Sequence, residues 1–126
     1  MDLDPQRIVL VAEPDPVVGL DLADALEAAG YHVVGPFRTA AAVEAWLAGW
    51  TPALAVLDVE LAGRSSAAAA QVLRGRQIPF VVHTAFAIHE TLPDAFAGAP
   101  RLCKPAWTRD IVELLAERPH SAGTPR

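Results

Sequence analysis

The 126-residue chain contains one cysteine, one methionine, one tyrosine and one lysine. A single thiol, Cys103, excludes an internal disulfide and fits a reducing cytosol. Long apolar runs are also missing. The longest, Ile8–Ala12 and residues 53–57, have five residues each, where a bilayer span needs about 20. Two aspartates lie within the first five residues, with no apolar stretch of signal-peptide length, so the cytoplasm is the expected location. No run of basic residues interrupts the net charge of −5, which argues against nucleic acid or a membrane surface as partner. Nine of the ten basic residues are arginine, and Lys104 is the exception.

The apolar fraction is 52%, and alanine supplies 25 of those residues. The remainder is an ordinary share for a globular domain. The length fits one domain, expected over residues 1–118, with residues 119–126 as a disordered tail. Strand-length apolar runs alternate with helical patterns. The first strand, Ile8–Ala12, is continuously apolar, as in strands covered on both faces. Pro16 opens a helix with Val18, Leu22, Ala25, Leu26 and Ala29 at helical spacing, and Gly30 closes it.

Further strands are expected near residues 31–34, 53–57, 79–83 and 102–103, and helices near 39–49, 67–76 and 108–118. A loop with Gly63, Ser65 and Ser66 follows the third strand. Pro93 interrupts residues 87–99, where a fifth helix is expected to be short or irregular. This alternation predicts an α/β fold with a doubly wound, five-stranded parallel sheet in the order 2-1-3-4-5.

Ligands of such sheets bind beyond the carboxyl ends of the strands. Strand one ends in Glu13, strand three in Asp58, strand four in Thr84 and strand five in Lys104. Two carboxylates, a hydroxyl and an ammonium on one edge suit an oxyanion together with a hard cation such as Mg²⁺.

Over residues 7–117 the chain resembles the CheY-like receiver domains of two-component response regulators. The resemblance rests on Val11-Ala12-Glu13, Leu57-Asp58, Thr84-Ala85 and Lys104-Pro105. It implies a flavodoxin-like fold and transfer of a phosphoryl group from a phosphohistidine to Asp58. Glu13, Asp58 and the backbone carbonyl of Glu60 would hold Mg²⁺, while Thr84 and Lys104 would meet the phosphoryl oxygens. A sensor histidine kinase or histidine phosphotransferase would be the donor, and a further protein the target. The chain would be a phosphoacceptor and not a turnover enzyme. The stretch 79–86, with Leu92-Pro93, Phe96 and Ala99-Pro100, is similar to receivers with a Phe-Ala-Thr-Gly-type motif from alphaproteobacterial stress signalling.

Two residues depart from the family pattern. Pro14 stands where a second metal-binding acid is usual, so Mg²⁺ binding is expected to be weak. Asp15 is an alternative ligand, but Asp followed by Pro reads first as a helix N-cap. Arg101 stands where an aromatic residue commonly reports phosphorylation, so a signal would have to travel through Phe86 and the segment after it. These departures keep open a pseudo-receiver that binds partners without the chemistry. A more remote alternative is a haloacid-dehalogenase-like phosphohydrolase, suggested by Asp58-Val59-Glu60. Strand alternation turns His83 away from Thr84 and towards a packing role. For Trp107, packing and partner contact stand equal.

Overall fold

A computed structural model describes residues 4–118; the expected tail at 119–126 lies outside them. Strands β1 (Ile8–Ala12), β2 (His32–Phe37), β3 (Leu54–Leu57), β6 (Phe80–Thr84) and β7 (Arg101–Cys103) form one sheet in the order β2-β1-β3-β6-β7. Every neighbouring pair is parallel. Counting only these five strands, the order is 2-1-3-4-5, as the alternation predicts. Helices α1 (Pro16–Ala28) and α4 (Thr108–Ala116) pack on one face, α2 (Ala40–Leu47) and α3 (Ala67–Gly75) on the other.

The continuous apolar strands follow from this double cover. Val9 and Val11 pack with Leu22, Leu26, Ile111 and Leu115 on the α1/α4 face. Leu10 and Ala12 pack with Val43, Leu47, Leu73 and Phe96 on the other. Both sets are almost wholly withdrawn from solvent. Truncating one such leucine to alanine typically costs about 2–5 kcal/mol, so each face is a substantial part of the stability.

Two expectations need correction. The second strand runs on to Phe37, beyond the expected residue 34. Gly35, at φ +102, allows a bulge against β1, so that Ala12 pairs with Phe37. A Cβ at Gly35 would lie 2.6 Å from the Val11 carbonyl oxygen, so the close approach requires glycine. The loop after β3 is a small hairpin, β4 (Glu60–Leu61) with β5 (Arg64–Ser65). Its turn residues Ala62 and Gly63 both have positive φ, the pattern of a two-residue hairpin. Alanine gives little signal for such a turn.

The fifth helix, expected to be short or irregular, is reduced to a single 3₁₀ turn. Between β6 and β7 only one 3₁₀ turn forms, Asp94–Phe96, with Pro93 capping it and Gly98 at φ +78 just beyond. Phe96 anchors that turn by packing edge-on against Phe80, with ring centroids 6.4 Å apart.

Candidate functional site at the carboxyl edge of the sheet

Parallel pairing brings the ends of β1, β3, β6 and β7 to one edge, where Thr84 closes β6 and Glu13, Asp58 and Lys104 follow the other three strands. Backbone bonds fix their registry. The Asp58 N–H donates to the Ala12 carbonyl at 3.0 Å, the Glu13 N–H to Phe37 at 2.9 Å, and the Lys104 N–H to Thr84 at 2.7 Å. The Ser66 hydroxyl donates to the Asp58 carbonyl at 2.6 Å and ties the start of α3 to the end of β3. The peptide bond between Lys104 and Pro105 is cis.

Lys104 bridges both acids. Its Nζ donates to Asp58 Oδ2 at 2.7 Å and to Glu13 Oε2 at 2.8 Å. Glu13 is 2% exposed and Asp58 6%, whereas the lysine side chain keeps 22% of its surface. Burial pushes the Glu13 carboxyl upward. Neighbouring His83, the Lys104 ammonium and the Asp15 N–H at 3.0 Å outweigh that, and its pKa falls below the usual value. Burial likewise pushes Lys104 down, but hydrogen bonds to Asp58 and Glu13 prevail and hold its pKa above the ordinary lysine value. The charged forms of Glu13 and Lys104 are therefore the favoured ones.

Thr84 is wholly buried at the end of β6, and its Oγ1 accepts the Phe86 N–H at 3.3 Å. Its hydroxyl proton remains available to a new acceptor. Asp58 Oδ1 has only a long contact, 3.4 Å from the Glu60 N–H, among the described residues. The Glu60 side chain is exposed on the hairpin.

Asp15 sits at the start of α1. Its Oδ1 accepts from Val17 N at 2.9 Å and Val18 N at 3.2 Å, so the geometry matches the capping reading. Among the described residues no three His, Cys, Asp or Glu side chains are grouped to hold a metal. Mg²⁺ commonly takes one or two carboxylates and fills its shell with waters and phosphate oxygens. Glu13 and Asp58 meet that minimum, so the donor set fits, with Lys104 as a competitor for the same oxygens.

The surroundings hold three features that sequence reasoning missed. His83 is buried, and its Nδ1 lies 3.6 Å from Glu13 Oε1, beyond hydrogen-bond range but close enough to act electrostatically. The signal was present. Alternation puts Val9, Val11 and Val81 on one face, and carrying it two residues on places Glu13 and His83 together. Arg101 Nη1 donates to the carbonyls of Ala87 (2.7 Å), Glu90 (3.0 Å) and Ile88 (3.3 Å) and clasps the segment that lacks a helix. Cys103 is half-buried, with its Sγ donating to the Phe86 carbonyl at 3.2 Å. Trp107 is 71% exposed and carries Arg109 over its ring at 5.6 Å, so packing does not account for it.

No family model matches the chain. Among curated proteins it is 32% identical over 112 residues to the transcriptional regulatory protein PdtaR of Mycobacterium tuberculosis, covering 86% of this chain and 55% of that one. The chain thus spans about half the length of that relative. Among solved structures, SdrG from Sphingomonas melonis is 30% identical with a TM-score of 0.75, covering 90% of this chain and 97% of that one. A response regulator from Burkholderia pseudomallei, solved with a phosphorylated aspartic acid and a calcium ion, is 25% identical with a TM-score of 0.72. It is matched over 86% of this chain and 66% of its own. A CheY-like receiver domain from Methanospirillum hungatei shares the fold at TM-score 0.76 and 23% identity, over 88% of this chain and 91% of its own.

Proposed function

Since the chain belongs to the receiver domains of response regulators, a family of two-component signalling, we propose that Asp58 accepts a phosphoryl group from a phosphohistidine. The observation carrying this reading is the Lys104 ammonium 2.7 Å from Asp58 Oδ2, beside a buried threonine hydroxyl at the next strand end. An Asp58 oxygen, Oδ1 being the less engaged, attacks phosphorus. The P–N bond of the donor breaks, and its electron pair stays on the imidazole nitrogen, which is left neutral or takes up a proton. The product is an acyl phosphate on Asp58.

Phosphoryl transfer depends mainly on positioning and charge neutralisation. Lys104 supplies a compact cation for one phosphoryl oxygen and Thr84 a proton donor for another. Glu13, Asp58 and the Glu60 carbonyl would hold Mg²⁺, which when bound neutralises charge on the transferring group. The chain then signals through changed partner binding, with a histidine kinase or histidine phosphotransferase upstream and a protein target downstream. It acts once per phosphorylation and not as a turnover enzyme. No described helix is long and apolar enough to cross a membrane, and a cytoplasmic site of action is part of the proposal. The resemblance in residues 79–105 points to the branch with the Phe-Ala-Thr-Gly-type motif.

Incubation with Mg²⁺ and phosphoramidate tests the reading. Wild type should gain one phosphate and Asp58→Ala none; equal labelling of both removes Asp58 as acceptor. A second reading rests on Pro14 and on Lys104 bridging both acids without a metal. In that pseudo-receiver, wild type takes no phosphate and Asp58→Asn binds partners normally.

A further inference from the structure

A cleft of about 350 Å³ opens at the amino-terminal end of β6, lined by Arg74, Gln77, Ile78, Phe80, Pro100 and Arg118 among others. Asp58, Thr84 and Lys104 belong to the opposite edge. Four residue steps along β6 separate Phe80 from Thr84, about 13 Å at 3.3 Å per step. The cleft is therefore independent of the phosphoacceptor edge.

Two features of its lining call for a ligand. Its charged side chains among the described residues are both arginines, in a chain whose net charge is −5. The Arg118 Nε is buried and has no hydrogen-bond partner among the described residues, a state buried guanidinium donors rarely keep. Arg74 is held in place. It donates through Nε to the Ala95 carbonyl at 2.7 Å and through Nη2 to the Ala97 carbonyl, and its guanidinium lies 5.7 Å from the Phe80 ring centroid. Its Nη1 makes no hydrogen bond among the described residues. Ile78, Pro79, Phe80 and Pro100 supply apolar walls.

We propose that this cleft binds a carboxylate joined to an apolar group, the carboxylate between Arg118 and Arg74 and the apolar part against Phe80 and Pro100. Guanidinium recognises a planar carboxylate in bidentate fashion, and the walls favour an apolar body over a bare ion. That chemistry comes either as a free small acid or as an acidic residue beside an apolar one in a protein partner.

Amide shifts of the full chain, titrated with phenylacetate, test the proposal. Saturable shifts are expected at Gln77, Gly98 and Ala99 with a millimolar Kd, the range for so small a ligand. Acetate and benzyl alcohol, each with half the recognised chemistry, should bind several-fold more weakly. Arg118→Gln should weaken phenylacetate about tenfold, the loss of one charge-assisted contact, while labelling at Asp58 stays at the wild-type rate. The blocked dipeptide acetyl-Phe-Asp-amide distinguishes the sources. Tighter binding than phenylacetate points to a protein side chain, and weaker binding to a free acid. Absence of shifts at these amides, equal affinity for benzyl alcohol, or an unchanged Kd in Arg118→Gln overturns the proposal.

Discussion

Replacing Lys104 with methionine removes the one cation between two nearly dry carboxylates while keeping the apolar stem. Breaking a buried ion pair by deleting one partner costs about 3–5 kcal/mol, because the remaining charge is left uncompensated. The lysine side chain is 22% exposed, and water reaches the site, so the lower figure applies. For a domain of this length, about 3 kcal/mol corresponds to a fall of roughly 12 °C in Tm. The pH dependence gives a sharper signature. The folded-state pKa of Glu13 is depressed, so its contribution is present above the unfolded value of 4.5 and is lost as pH falls through the folded value. That of Lys104 is raised, so its contribution is present below 10.5 and is lost as pH rises through the folded value. Wild type should show a plateau between these limits with loss on both sides. In Lys104→Met the alkaline loss due to this residue disappears. The gap from wild type narrows towards acid pH, since protonating one carboxylate relieves the repulsion. Mg²⁺ at one hundred times its Kd for the variant should stabilise the variant by about 2.7 kcal/mol, and at that same concentration should raise its Tm more than that of wild type, because Lys104 no longer competes for the carboxylate oxygens. Thermal melts across pH, with and without Mg²⁺, measure all of this. A Tm within 2 °C (roughly 0.5 kcal/mol) of wild type at neutral pH would refute the bridge as a stabilising element.

Three further outcomes follow from the same geometry. Asp15→Ala should lose about 1 kcal/mol through the missing N-cap and leave Mg²⁺ affinity unchanged; a weaker metal titration would instead make Asp15 a ligand. Pro14→Asp restores an acidic side chain beside Glu13 and should tighten Mg²⁺ binding about tenfold, as read by tryptophan fluorescence or calorimetry, with no change counting against a metal at this edge. Arg101→Ala removes three carbonyl contacts from the segment at residues 87–90. Cleavage there by a dilute protease should quicken at least fivefold while core strands stay protected, and equal cleavage would show that the clasp does not hold the segment.

The sequence was most legible where one residue type had one physical use. Continuous apolar strands, the Asp15-Pro16 start of α1 and the four residues at the strand ends all declared themselves, because burial on two faces and parallel pairing leave little choice. Legibility failed where the outcome depends on distant partners. In residues 87–99 Pro93 did signal a short or irregular helix, but the clasp of Arg101 that holds the segment around its single 3₁₀ turn did not. Arg101 read as a missing aromatic, and its use as a carbonyl donor to a loop eleven to fourteen residues earlier was not visible locally. The Ala62-Gly63 hairpin carries an unfavourable residue at a left-handed position, so local propensity pointed elsewhere.

The lysine bridge also sets the terms on which the edge could be modified. At rest one ammonium serves two acids. An acyl phosphate on Asp58 would raise the local negative charge and recruit that same ammonium, leaving Glu13 with the Asp15 amide and the neighbouring His83. The Lys104–Glu13 contact would then be given up, and whatever it contributes at rest would offset part of what the new ammonium–phosphoryl contact supplies.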